Sequence, residues 1–358
     1  MATYKIPRII ICKIILGCHS RESGNPYFYT MQLELKDIEQ AKKRITPYIN
    51  KTPILTSSLL NKWLGHEIYF KAENFQKIGA FKARGGVNTL AWLLENGHKP
   101  KHIVANSSGN HAQAVSYAAK QFNIPATIFM AAYSSKVKVQ ATKAYGAKVV
   151  LSETRDITDA RVAEAAKEEG TFWIPPFNHK QVICGQGTAV YEALTELENI
   201  DAVFTPCGGG GLTSGSLIAT RGLAPKAKMF GVEPLNANDA AESLRKGSIQ
   251  RLSGVPDTLA DGAMTMAVGN ITFEYLKQLD GFYEIEEEYL IYWTQWLTHL
   301  LKCRIEPTCA MPMEAIRRWL QTQKTKQRVL MVISGGNVDE PTTRKIWAND
   351  CLNQEPQL

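Results

Sequence analysis

The sequence of 358 residues predicts an α/β fold of parallel sheets covered by helices. Two observations carry this. Short apolar runs, mostly rich in β-branched residues and mostly followed by glycine, serine or proline, recur at 67–71, 102–105, 126–130, 148–151, 202–205, 228–232 and 328–333. Between them lie stretches with helical spacing, including 135–145, 159–169 and 187–198. Strands that alternate with helices pair in parallel, because each crossover needs a connection about as long as a helix.

In chain order, 37–49 reads as a capped amphipathic helix, and Pro53 opens an extended stretch. Lys136, Lys138, Lys143 and Lys148 form a basic stretch that reads as an exposed helix face. Glu286, Glu287 and Glu288 read as the acidic first turn of a helix. The sequence has no internal repeat and no low-complexity linker. Its length suits one large or two medium domains.

Composition is that of an ordinary globular protein, 44% hydrophobic and 21% charged. The formal charge is +7, and Lys5, Arg8, Lys13 and Arg21 against Glu22 place three of those charges in the first thirty residues. The rest gives no case for nucleic acid and mildly favours anionic ligands. Seven cysteines, Cys12, Cys18, Cys184, Cys207, Cys303, Cys309 and Cys351, are odd in number and widely spaced, with no C-x-x-C. That pattern fits a reduced, cytoplasmic setting rather than a disulfide or zinc framework.

Residues 1–30 read as an extension that is disordered or arises from a start placed too early; export is the third reading. Their apolar run, Ile9 to Leu16, is split by Lys13 and is too short to cross a bilayer, so no membrane partner is expected.

Three segments carry the chemistry. Gly79-Ala80-Phe81-Lys82-Ala83-Arg84-Gly85-Gly86 places a lysine after an aromatic residue and before a glycine pair, where the backbone packs tightly. A lysine so placed is suited to lose its charge and join a carbonyl cofactor as a Schiff base. A buried, ion-paired lysine is the plainer reading of this octapeptide alone. The second segment runs from His102 through Asn106-Ser107-Ser108-Gly109-Asn110-His111 into an alanine-rich helix pattern. A strand, a tight loop and a helix N-terminus attract an anion such as a substrate carboxylate. The third, Ala202 to Thr205 followed by Pro206-Cys207-Gly208-Gly209-Gly210-Gly211-Leu212, lets several N–H groups converge on a phosphate. It matches neither the P-loop nor the dinucleotide glycine pattern.

Together these segments resemble the serine/threonine dehydratase and serine racemase family of pyridoxal-phosphate enzymes, from about Met31 to about Ala348. The resemblance implies the fold type II architecture, like the tryptophan synthase β chain: two open twisted sheets of parallel type, helices on both faces, and pyridoxal 5'-phosphate in the cleft between. A large domain would comprise 31–98 and 178–348, a small one 99–177, and 349–358 a tail. Lys82 would be the Schiff-base lysine, and Asn110 would bond the cofactor's phenolic oxygen. Gly208, Gly209, Gly210, Gly211 and Leu212 would hold its phosphate, and Ser334 would face its pyridine nitrogen. Asn178 matches a looser position near the cofactor, and Glu306 lies in another matching segment with no role assigned. Ser107, Ser108 and Asn110 would bind substrate, and Lys82 would take the Cα proton. Ser108 would face the opposite side of Cα, which permits racemisation; a serine that only bonds loop or substrate is the other reading. At Gly86, where alanine is usual, and Cys309, where glycine is, the sequence departs from the family.

The activity implied is a threonine/serine ammonia-lyase, with serine racemase, 3-hydroxyaspartate ammonia-lyase and a non-catalytic homologue as alternatives. A homodimer or homotetramer acting on a small amino acid is expected. Glu233 and Asp239, six residues apart around Pro234, can converge through a loop and suit Mg²⁺ or Ca²⁺ together with the Ala237 carbonyl. The resemblance points to the same three residues; two exposed acids at a strand exit is the simpler reading.

Overall fold

The computed structural model describes residues 32–132 and 134–358. The expectations for 1–30 lie outside the described residues. Ten strands are present among them: β1 Ile54–Leu55, β2 Glu67–Ala72, β3 His102–Asn106, β4 Ala126–Ala131, β5 Lys148–Ser152, β6 Thr171–Trp173, β7 Ala202–Pro206, β8 Lys228–Pro234, β9 Gly281–Ile285 and β10 Arg328–Ile333. They form two sheets, ordered β1-β2-β10-β7-β8-β9 and β5-β4-β3-β6. Every pairing is parallel except β1 with β2, so the larger sheet is mixed and the smaller wholly parallel.

Sequence dictates these positions. β7 and β10 carry almost unbroken apolar runs because helices cover both faces of the larger sheet. The register of β10 on β2 sets Arg328 opposite Glu67, and the two form an ion pair at 2.7 Å. β5, at an edge of the smaller sheet, keeps exposed residues.

The helix Lys180–Leu194 lies between the helices Lys82–Glu95 and Gly211–Leu223 in the core. Its approach to the latter depends on glycine, since a Cβ on Gly187 would lie 2.6 Å from the Gly215 carbonyl oxygen. That explains why this helix begins at Lys180 rather than 187: Gly185 and Gly187 are packing positions, not breakers. Its start is capped by His179, whose ring Nδ1 accepts from Gln181 N at 3.2 Å. Likewise Thr154 caps the helix Arg155–Ala165, four residues before the expected start. The first helix spans Leu35–Ile45 rather than 37–49. Asp37 sits in its first turn, accepting from Glu34 N at 2.8 Å, and Pro47 closes its far end.

A buried ion network anchors the helix that begins at Lys82. Arg84 donates to both oxygens of Glu73 at 2.6 and 2.7 Å and to both of Glu192 at 2.9 and 2.8 Å. Lys71 joins Glu192 at 2.8 Å, and all four side chains are buried. Among the described residues no helix is long and apolar enough to cross a membrane.

Candidate active site

The site is built where segment 79–81 pairs with segment 334–336. Phe81 N donates to the Ser334 carbonyl and Gly336 N to the Gly79 carbonyl, both at 3.0 Å, and Ala80 bridges Gly335 in antiparallel fashion. Ile78, just upstream, is held at φ 62°, a conformation costly for a β-branched residue. This pairing delivers Lys82, first residue of its helix, to a cavity of about 410 Å³ together with Ser334.

Lys82 keeps some surface toward the cavity, while its ammonium lies deep among protein atoms. Nζ donates to the Pro176 carbonyl at 2.7 Å and sits 5.0 Å from the Phe81 ring centre. Burial lowers its pKa from 10.5 to about 8, against the opposing pull of Glu306. His111 is buried beside it, and its ring Nε2 donates to the Ile174 carbonyl at 2.8 Å; burial and the Lys82 charge lower its pKa to about 3.

The glycine loop follows β7. Gly210, at φ 89°, caps the helix Gly211–Leu223, so the first N–H groups of that helix open on the cavity. Thr272 Oγ1 donates to the Gly209 carbonyl at 2.7 Å and holds the loop from outside. Across the cavity the loop after β3 brings Ser107, Ser108 and Asn110, with Gly109 N donating to Ser107 Oγ at 3.2 Å.

Of the residues expected at the site, Lys82, Ser107, Ser108, Asn110, Gly208 to Gly211, Leu212 and Ser334 all line this one cavity. Asn178 does not. Its Oδ1 accepts from Ile271 N at 3.0 Å and its Nδ2 donates to Asn270 Oδ1 at 2.6 Å, while its neighbour Phe177 forms the wall. Glu306, without an assigned role in the sequence, faces the cavity, and burial pushes its pKa upward, with Asp261 adding to this. Lys138 corrects an expectation: rather than lying on an exposed face, its side chain is 12% exposed and pairs with Asp261 in the cavity wall. The sequence offered no signal for that pairing, since the two lie on separate segments 123 residues apart.

The cavity fits pyridoxal phosphate. It offers an amine, a helix N-terminus opened by glycine for a phosphate, and the buried Ser334 hydroxyl, which has no hydrogen-bond partner of its own. The expected cation site is different. Among the described residues no group of three or more His, Cys, Asp or Glu side chains is placed to hold a metal ion. Glu233 and Asp239 are buried rather than exposed, and Glu233 accepts from Ala240 N at 3.2 Å and Ala241 N at 2.7 Å. Asp239 Oδ2 has no partner, and burial raises its pKa to about 7.

Residues 45–335 match the family model described as pyridoxal-phosphate dependent enzyme. The chain belongs to that family. It is 43% identical over 305 residues to a serine racemase of Schizosaccharomyces pombe, covering 85% of this chain and 94% of that relative. Against an L-threo-3-hydroxyaspartate ammonia-lyase of Saccharomyces cerevisiae the identity is 42% over 308 residues, covering 85% and 93%. The crystal structure of a T.th. threonine deaminase superposes with a TM-score of 0.81 at 38% identity, covering 86% of this chain and 99% of that one.

Proposed function

We propose that this protein is an ammonia-lyase that converts a β-hydroxy-α-amino acid, such as L-threonine or L-serine, to a 2-oxo acid and ammonia. The observation that carries this is Lys82: an amine with its pKa lowered to about 8, in one cavity with the glycine loop and the unpartnered Ser334 hydroxyl. Pyridoxal phosphate, when bound, supplies the electron sink for charge at the substrate Cα. Lys82 takes the Cα proton, and its lowered pKa keeps a usable fraction of the amine neutral near neutral pH. Ser107, Asn110 and the N–H groups opening the helix Asn110–Gln121 hold the α-carboxylate. Gly208 to Gly211 hold the phosphate, and Leu212 packs behind them. A neutral hydroxyl at Ser334 withdraws little charge from the ring nitrogen, which favours prompt departure of the β-hydroxyl over a long-lived carbanion.

A racemase reading has its own support in Ser108, which lines the same cavity and carries a transferable proton. A hydroxyaspartate ammonia-lyase shares the same chemistry, and the amine at Lys82 weighs against a non-catalytic homologue. We extend the proposal to a Mg²⁺ or Ca²⁺ ion held by Glu233, Asp239 and the Ala237 carbonyl; the support is the partnerless Asp239 Oδ2 beside a second buried carboxyl. The cysteine pattern supports a cytoplasmic setting, and the family likeness a homodimer or homotetramer. The test is a panel of L- and D-amino acids with the purified holoenzyme, scored for 2-oxo acid, ammonia and enantiomer. Release of 2-oxo acid and ammonia in equal amounts supports the reading; enantiomer exchange alone replaces it with the racemase.

A further inference from the structure

The wall of the cavity on the smaller sheet carries a cation that the chemistry above leaves without work. Arg155 opens the helix Arg155–Ala165 after β5, and its guanidinium lines the cavity, with Nη1 donating to the Met264 carbonyl at 2.9 Å. Asp159, one turn further on, is the natural partner for it on a helix. Instead Asp159 accepts from Asn106 Nδ2 at 2.6 Å. Among the described residues no carboxylate pairs with Arg155. The neighbouring cation, Lys138, is already neutralised by Asp261. The guanidinium therefore has donors left for a ligand, and its planar fork suits a carboxylate better than a hydroxyl or methyl group.

Topology sets the span. Ser107 to Asn110 lie at the end of β3 and Arg155 beyond the end of β5, with β4 between them in a parallel sheet. Strand ends two positions apart are separated by about 10 Å. A small dicarboxylate with a hydrogen bond at each end bridges such a gap.

We infer that Arg155 recognises a second carboxylate on the substrate side chain, so that the preferred substrate is an α-amino dicarboxylate bearing a β-hydroxyl. This rests on the ammonia-lyase reading above and narrows it. With such a substrate the Cα–H and Cβ–O bonds break and water leaves. One water is regained as the resulting enamine hydrolyses, giving a four-carbon 2-oxo diacid and ammonia with no oxidant or reductant. The C–H proton passes to Lys82 and on to the departing hydroxyl or solvent.

The experiment compares kcat/KM of the holoenzyme for L-threo-3-hydroxyaspartate and L-serine in wild type, Arg155→Met and Arg155→Lys. Wild type is expected to favour the dicarboxylate. Arg155→Met should lower that preference on the order of 30- to 100-fold, mainly through KM, and Arg155→Lys should restore part of it. An unchanged preference in Arg155→Met overturns the inference. A parallel arm titrates L-aspartate, which has both carboxylates and no leaving group, and follows the cofactor absorbance. If neither amino acid yields 2-oxo acid, the lyase reading fails, and this arm decides Arg155 alone. Weaker aspartate binding in Arg155→Met supports the carboxylate site, and equal affinity removes it.

Discussion

Asn337 donates from its side-chain Nδ2 to Asn110 Oδ1 at 2.8 Å, and this bond decides which end of the Asn110 amide faces Glu306. Asn110 Nδ2 then lies 3.3 and 3.2 Å from the two Glu306 oxygens, and Asn337 N closes on the same carboxylate at 3.2 Å. Three segments distant in sequence meet on one amide. Asn337 also donates to the Ile78 carbonyl at 2.7 Å, so it ties the strained residue before Lys82 to the same cluster.

Asn337→Ala should therefore loosen both the amide and the approach to Lys82. Two lost hydrogen bonds correspond to about 1–3 kcal/mol of stability. Cofactor titration of the apoprotein should show several-fold weaker binding, and thermal unfolding a lower Tm. Unchanged values in both would show that Asn110 is oriented without Asn337.

Lys82 should be a liability to the cofactor-free fold. Its folded pKa of about 8 lies below the ordinary 10.5, so the folded chain binds fewer protons than the unfolded chain between these values, and stability rises with pH across that window. Below pH 8 the cost of burying the ammonium is fully present. Cofactor-free Lys82→Met should be more stable than wild type at pH 7 by about 1–3 kcal/mol, with the gap narrowing toward pH 10.5. Urea unfolding at pH 7 and 10 checks this; a variant less stable at pH 7 would refute it.

Glu192 behaves oppositely. Burial alone would raise its pKa, but hydrogen bonds and charge from Arg84, then Lys71 and Lys42, hold it well below the ordinary 4.5. Its contribution is present above about pH 4.5 and is lost as pH falls through the depressed value. Glu192→Gln leaves Arg84 and Lys71 with an incomplete set of partners and should cost about 3–5 kcal/mol at pH 7. The gap from wild type should close only as pH falls from the ordinary 4.5 toward the depressed value, which thermal melts at pH 7 and at about pH 2 would show. A constant gap would mean the carboxylate charge is not what holds this cluster.

Ser108 should separate two activities. Proton removal by Lys82 and departure of the hydroxyl need no group on the opposite face, whereas racemisation does. Ser108→Ala should reduce L- to D-serine interconversion at least tenfold more than 2-oxo acid formation from an L-substrate. It should also impair use of D-serine. Equal losses in all three assays would make Ser108 a carboxylate-binding residue.

Strands β2, β3, β4, β5, β7, β8 and β10 were legible to within a residue or two: β4, β7 and β10 because buried parallel strands are nearly continuous apolar runs, and the others, the exposed edge strand β5 included, because short runs of apolar residues end at turn-forming ones. β6 and β1 were not, being three and two residues long, and β9 begins at a glycine that reads as a turn. The motif residues of the cavity were legible because glycine and lysine in those settings have few other uses. Arg155, Lys138 and Asp261 were not, since an isolated charge looks like a solvated one until the fold sets it against a cavity. Asn178 shows the reverse, a motif neighbour whose side chain turns to the start of the helix Asn270–Leu276.

The central claim is that Lys82 carries the cofactor. The most direct measurement is reduction of the holoenzyme with borohydride, then peptide mapping by mass spectrometry. The account predicts one reduced cofactor adduct on the peptide containing Lys82, and its absence in Lys82→Ala together with the visible absorbance. An adduct on another lysine, or full turnover by Lys82→Ala, would contradict it.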